Sequence, residues 1–217
     1  MNKLWAFGDS FTYGYGCVPG YEYYENYRKD GDKLWCEHIA DNLNFKLENK
    51  GKNGCSNDYI IDEIIKYWDR IQSDDMVIIG KTYPFRFDIP NPKKIDSDWI
   101  TNVTYKNHNV TFQESIDYLK PNYFTDEEYS VMVDFIYHFS HNEKYKIRQN
   151  NRLKFLSDKL KLKGVNVIIW DVVTEIEKFE RIIAATNGEI NDGHFSYDGH
   201  LKFSKFIMNK INDKTLI

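Results

Sequence analysis

The chain has 217 residues, 41% of them hydrophobic and 29% charged, with a formal net charge of −4. That length fits one α/β domain, since domains commonly run ~50–250 residues, and the scattered Lys and Arg of an acidic chain argue against a dedicated nucleic-acid surface. No stretch approaches the ~20 apolar residues of a membrane helix, and the three cysteines, Cys17, Cys36 and Cys55, form an odd set that suits reduced thiols better than a disulfide framework. Met1-Asn2-Lys3 runs straight into an apolar segment with no long h-region. The expectation is a soluble protein, cytoplasmic as synthesised, whatever release or particle association follows.

Taken in chain order, apolar segments alternate between strand and helix character, the pattern of a parallel sheet covered on both faces. Leu4-Trp5-Ala6-Phe7 reads as a first strand, residues 33–43 as a helix with apolar residues at helical spacing, and Phe45-Lys46-Leu47 as a short second strand. Ser56-Asn57-Asp58 caps a helix whose predicted buried stripe is Ile60, Ile61, Ile64, Ile65 and Trp68. Met76 to Gly80 and Val165 to Trp170 are continuous apolar runs, as strands covered on both faces require. Between them, residues 83–142 form an insertion in an otherwise single domain spanning 1–217. It is rich in Pro, Asn, Asp and aromatics at its start and predicted helical from Asp126 to His141. A long irregular stretch rooted at the carboxyl end of a strand is expected either to cover or shape a binding site or to form a packed side subdomain.

Two segments far apart in sequence carry the chemistry. Gly8-Asp9-Ser10-Phe11-Thr12-Tyr13-Gly14 follows the first strand, and such a glycine turn exposes a serine hydroxyl where α/β proteins place their reactions. A serine alcohol is a poor nucleophile until a base takes its proton, and an Asp-oriented imidazole such as that of Asp192-Gly193-His194 supplies one. Asp198-Gly199-His200 has the same spacing and competes for that role. Gly54 stands just before a predicted helix N-terminus, where free N–H groups and the dipole favour an anion.

These blocks, together with Asn49-Lys50-Gly51-Lys52-Asn53-Gly54-Cys55-Ser56-Asn57, resemble the SGNH, or GDSL, hydrolases in order and spacing. The resemblance implies a three-layer flavodoxin-like α/β fold, a parallel sheet with helices on both faces, and esterase activity without a cofactor or metal. It implies Ser10 as nucleophile, His194 as general base and Asp192 as the residue orienting the imidazole, with the backbone N–H groups of Ser10 and Gly54 as oxyanion donors. In family proteins a Gly-His pair five and six residues after the catalytic histidine opens the last helix, which assigns Gly199-His200 to a helix start. The third block departs: the family's Gly-x-Asn-Asp is here Gly80-Lys81-Thr82-Tyr83, so Thr82 stands where the asparagine donor is expected and is read as the third oxyanion donor through its hydroxyl. The last block departs too, with one residue between Asp192 and His194 where the commoner pattern has two.

Tyr21-Glu22-Tyr23-Tyr24-Glu25-Asn26-Tyr27-Arg28 offers stacking faces and acceptors suited to a sugar, which inclines the expected substrate towards a small acyl group on a carbohydrate. His138 and His141 are one helical step apart but lack a third ligand, and are read as a solvated face. The rival expectation is a structural or binding protein that kept the fold after catalysis decayed, for example a viral particle component; the altered third block is its support.

Overall fold

In a computed structural model of the chain, the described residues are 1–14, 31–84, 86–90, 99–104, 106–107, 110–111, 125–131, 134, 143–172, 174–175 and 194–213. In chain order the first half supplies β1 (Lys3–Phe7), α1 (Ser10–Tyr13), α2 (Trp35–Leu43), β2 (Lys46–Asn49), α3 (Asn57–Lys66) and β3 (Met76–Lys81). The second supplies β4 (Arg86–Pro90), β5 (Trp99–Thr104), β6 (Lys106–Asn107), β7 (Val110–Thr111), α4 (Glu143–Leu162), β8 (Asn166–Asp171) and α5 (Tyr197–Asn212). Four strands form one parallel sheet in the order β2-β1-β3-β8, the beginning of the flavodoxin-like order. The fold is therefore α/β, a parallel sheet with helices on both faces.

Period-2 alternation in the two central strands builds that sandwich. Leu4 and Ala6 of β1 with Met76 and Ile78 of β3 face one core, shared with Trp35 and Ile39 of α2 and Phe203 and Ile207 of α5. Trp5 and Phe7 with Val77 and Ile79 face the other, shared with Ile60, Ile61 and Ile64 of α3 and Leu153, Leu156 and Leu160 of α4. At about 1.5–3 kcal/mol for each large apolar side chain fully buried, these layers fix which strand ends come together. Gly80 is one place where the packing demands the absence of a side chain, since a Cβ there would stand 2.7 Å from the Trp170 indole.

Two expectations need correction. Ile65 is 51% exposed, because the packed face of α3 is fully used by Ile60, Ile61 and Ile64; Trp68 follows the helix in a 3-10 turn and packs against its core from the rim. The insertion, read as irregular before its helix, contains two antiparallel strand pairs, β4–β5 and β6–β7. Helical residues begin there at 126 as expected and are described at 126–131 and 134.

Beyond β2 the chain keeps following β1. Lys50 N–H donates to Ala6 O at 2.8 Å and Lys52 N–H to Gly8 O at 3.0 Å, while Asn49 Nδ2 donates to Thr12 O at 2.8 Å and Asn49 Oδ1 accepts from Gly51 N–H at 2.9 Å. Gly51 is pressed on the backbone of α1: a Cβ would stand 2.5 Å from Tyr13 N and 2.8 Å from Thr12 C. Neither neighbour is a flexible side chain, so Gly51→Ala is expected to cost ~2 kcal/mol by overpacking. For a chain this long that corresponds to a melting temperature lowered by roughly 4–8 °C. A variant that melts with the wild type would show that the two segments are not held in this contact.

Candidate active site

The site lies at the carboxyl ends of β1 and β3, where the sheet hands three loops to the same region. β1 ends in Gly8, and Asp9 caps the single turn α1, its Oδ1 accepting the Phe11 N–H at 3.2 Å. Gly14 closes the turn in a left-handed conformation, φ 96°, which glycine adopts without the penalty a Cβ brings. Ser10 is thereby the first helical residue, and its Oγ lies 2.7 Å from His194 Nε2. The structure thus brings together two residues 184 positions apart.

Aromatic packing holds the imidazole in place. The Phe11 ring lies 4.9 Å from that of His194 and 5.1 Å from that of Phe195, centroid to centroid. Ser196 then caps α5 by accepting the Gly199 N–H, so the chain turns from the imidazole directly into a helix anchored in the core. Asp192 lies outside the described residues, as do Cys17, the tyrosine segment 21–28, His138 and His141. Among the described residues no group of three or more His, Cys, Asp or Glu side chains is placed to hold a metal ion, and no helix is long and apolar enough to cross a membrane.

His200 occupies a different place. It is buried at the start of α5, and its Nδ1 accepts the backbone N–H of Trp35 at 3.2 Å, capping α2 from outside. Trp35 in turn donates its indole N–H to Phe11 O at 3.0 Å. Burial above all, then the imidazoles of His38 and His194, push His200 from 6.5 down to about 3. It is the neutral acceptor that this hydrogen bond requires.

Gly54, with φ 69°, precedes Ser56, whose hydroxyl caps α3 by accepting the Tyr59 N–H at 3.1 Å. Among the described residues nothing accepts the backbone N–H of either Ser10 or Gly54. Thr82 is arranged otherwise. Its hydroxyl donates to Asp9 Oδ2 at 2.7 Å and accepts from Arg86 Nη1 at 2.8 Å. A hydroxyl has a single proton, and this one is spent on Asp9, so the expectation that Thr82 donates to an oxyanion is corrected. A carboxamide is nonetheless close by: Asn57, first residue of α3, accepts the Thr82 N–H at 2.9 Å and donates to Thr82 O at 3.0 Å, with a longer contact of 3.4 Å to Gln149 Oε1. Its donors are committed to the backbone at the exit of β3 and to α4.

Sequence reasoning missed Arg86. Its Nη1 also donates to Asp9 Oδ2 at 2.8 Å, forming an ion pair with side-chain exposures of 10% and 0%, and its guanidinium lies over the Tyr83 ring at 4.9 Å. The available signal was a lone arginine among Tyr83, Pro84, Phe85 and Phe87, an apolar setting in which an arginine needs a buried partner.

Folding withholds a proton from His200 that the unfolded chain binds. Between 6.5 and about 3 the unfolded state carries more protons, so stability falls as pH drops through that window, by up to about 1.4 kcal/mol per pH unit from this group. His200→Gln keeps an acceptor for Trp35 without titrating, and is expected to lose less stability than the wild type between pH 7 and pH 4.5 when urea midpoints are compared. Equal losses would show that His200 does not stay neutral in the folded protein.

No family model matches the chain, and no curated protein does. Similar solved structures include a member of the lipolytic G-D-S-L family from Veillonella parvula DSM 2008, at 14% identity and TM-score 0.38, covering 98% of this chain and 100% of that one. Another is a carbohydrate esterase described as having divergent catalytic and non-catalytic binding functions, at 12% identity and TM-score 0.41, covering 99% and 69%. A third is a catalytic mutant of an acetylxylan esterase from Geobacillus stearothermophilus, at 14% identity and TM-score 0.39, covering 98% and 95%. In the order of its motif blocks and the strand order of its sheet, the chain resembles the SGNH, or GDSL, hydrolases.

Proposed function

We propose that this protein is a serine hydrolase that cleaves an ester through an acyl-Ser10 intermediate. The observation that carries the proposal is the 2.7 Å contact between Ser10 Oγ and His194 Nε2 at the carboxyl end of β1. His194 takes the Ser10 proton as Oγ attacks the ester carbonyl, then returns it to the departing alcohol; water, deprotonated by the same imidazole, releases the acid. Asp192 is assigned the role of orienting the imidazole. The unspent N–H groups of Ser10 and Gly54 are assigned to the oxyanion, which needs donors that cost no reorganisation when charge develops. The proposed substrate is a short acyl ester, with a carbohydrate alcohol favoured by the aromatic and acidic character of residues 21–28.

A second reading rests on Thr82. With its hydroxyl spent on Asp9, Thr82 offers no side-chain donor at the asparagine's position, as a binding protein that kept the fold but lost catalysis would not need one. A fluorophosphonate probe and p-nitrophenyl acetate separate the two. On the esterase reading the probe labels Ser10, Ser10→Ala abolishes labelling and turnover while the melting temperature is kept, and His194→Ala lowers kcat by ~10³-fold or more. Absence of labelling, with wild type and Ser10→Ala hydrolysing a panel of short acyl esters at the same background rate, would decide for the binding protein.

A further inference from the structure

The donors of Arg86 are poorly used for a buried arginine. Of its five N–H groups, the described contacts are those of Nη1 to Asp9 Oδ2 and Thr82 Oγ1, and Nε is buried with no partner among the described residues. Desolvating a guanidinium is costly. A neutral donor would tie the start of β4 to Asp9 at lower cost. What only a cation does at this position is cancel the charge of the Asp9 carboxylate, which has no solvent contact to do so.

The cancellation matters because of what forms next door. Asp9 and Ser10 are consecutive, with Cα atoms about 3.8 Å apart, and negative charge develops on the oxyanion at Ser10 during acyl transfer. In a low-dielectric site an uncompensated carboxylate on the residue next to the nucleophile opposes the transition state far more than the neutral substrate. Asp9 is kept because its Oδ1 caps α1 at Phe11 and its Oδ2 receives the Thr82 hydroxyl; its charge is the side effect that needs an answer.

We infer that Arg86 is a positioning residue for catalysis at Ser10: it neutralises the Asp9 carboxylate beneath the nucleophile turn and locks that turn to the start of the insertion. The role rests on the esterase reading above, and it acts through Asp9 with no contact to substrate.

Steady-state kinetics on p-nitrophenyl acetate and thermal melting of wild type, Arg86→Met, Asp9→Asn and the double variant test it. Arg86→Met is expected to lower kcat on the order of 10²-fold with KM within about threefold, the split expected when ground-state binding is untouched. Adding Asp9→Asn removes the orphaned charge, keeps an acceptor for the Phe11 N–H and supplies an amide donor for Thr82 Oγ1. The double variant is expected to regain at least about tenfold in kcat over Arg86→Met and to melt higher than it, as when both partners of a buried pair are replaced. Wild-type kcat in Arg86→Met, or a double variant that regains melting temperature but no rate, overturns the inference, the latter leaving Arg86 a structural tie only. If Arg86→Met does not fold, Arg86→Lys and the double variant decide, and a folded Arg86→Lys slower than the double variant overturns the charge argument. A wild type that neither turns over nor is labelled at Ser10 sinks the esterase reading and this role with it, a distinct outcome because the failure is then in the wild type.

Discussion

One carboxylate without solvent access, that of Asp9, is the point on which the site is assembled. It stands just after β1, whose last four residues have no solvent exposure, and must find all its donors inside the protein. They come from three separate stretches: the Phe11 N–H in its own turn, the Thr82 hydroxyl just after β3, and Arg86 at the start of β4. A partner lost from such a network leaves a buried charge uncompensated, which costs more than the contact itself contributes. The turn carrying Ser10, the exit of β3 and the root of the insertion are therefore held as one unit.

That unit extends outward through side chains with few spare donors. Asn57 grips the backbone of Thr82 on both its N–H and its carbonyl and touches Gln149. Gln149 reaches Asp58 at 3.4 Å, Arg152 pairs with Asp58 at 2.5 Å, and Tyr145 donates to the same carboxylate. The N-terminus of α3 is thus tied to α4 on one side and to the exit of β3 on the other. On the opposite face of the sheet, Trp35 does comparable work, with its indole on Phe11 O and its backbone on His200. The turn carrying Ser10 is braced from both layers, which preserves the placement of Oγ against the imidazole of His194.

The parts of this arrangement that were legible in the sequence are those set by local rules. Alternation in Leu4 to Phe7, the continuous run Met76 to Ile79 and the Ser56 cap each depend on near neighbours, and the strands and helix they announce are present. Ile65 illustrates the limit: helical spacing alone put it on the buried stripe, but which of several adjacent isoleucines faces the core depends on the angle at which α3 lies against the sheet. Thr82 and Arg86 illustrate it further. Motif alignment assigns a function to a position, and Thr82 is at the aligned position; where its proton goes depends on an arginine four residues on, in a segment that matches no pattern. The strand pairs of the insertion escaped for a similar reason, since short antiparallel ribbons stabilised by distant contacts leave little periodicity to read.

An asparagine is present at the exit of β3, but it arrives from α3 as Asn57, and its amide protons are committed to Thr82 O and Gln149 Oε1. Thr82 cannot take over the task, because its own proton completes the shell around Asp9. The two donors are spent separately: the Thr82 hydroxyl on the buried Asp9–Arg86 pair, and the Asn57 amide on the backbone of Thr82 and on Gln149. On the esterase reading, oxyanion stabilisation then falls to the backbone amides of Ser10 and Gly54, and each donor lost from such a hole is worth on the order of 10²–10³ in kcat. Two backbone amides are also the whole oxyanion hole of the Ser-His-Asp proteases, so on that reading the loss of a side-chain donor at Thr82 lowers the rate without removing the means of acyl transfer.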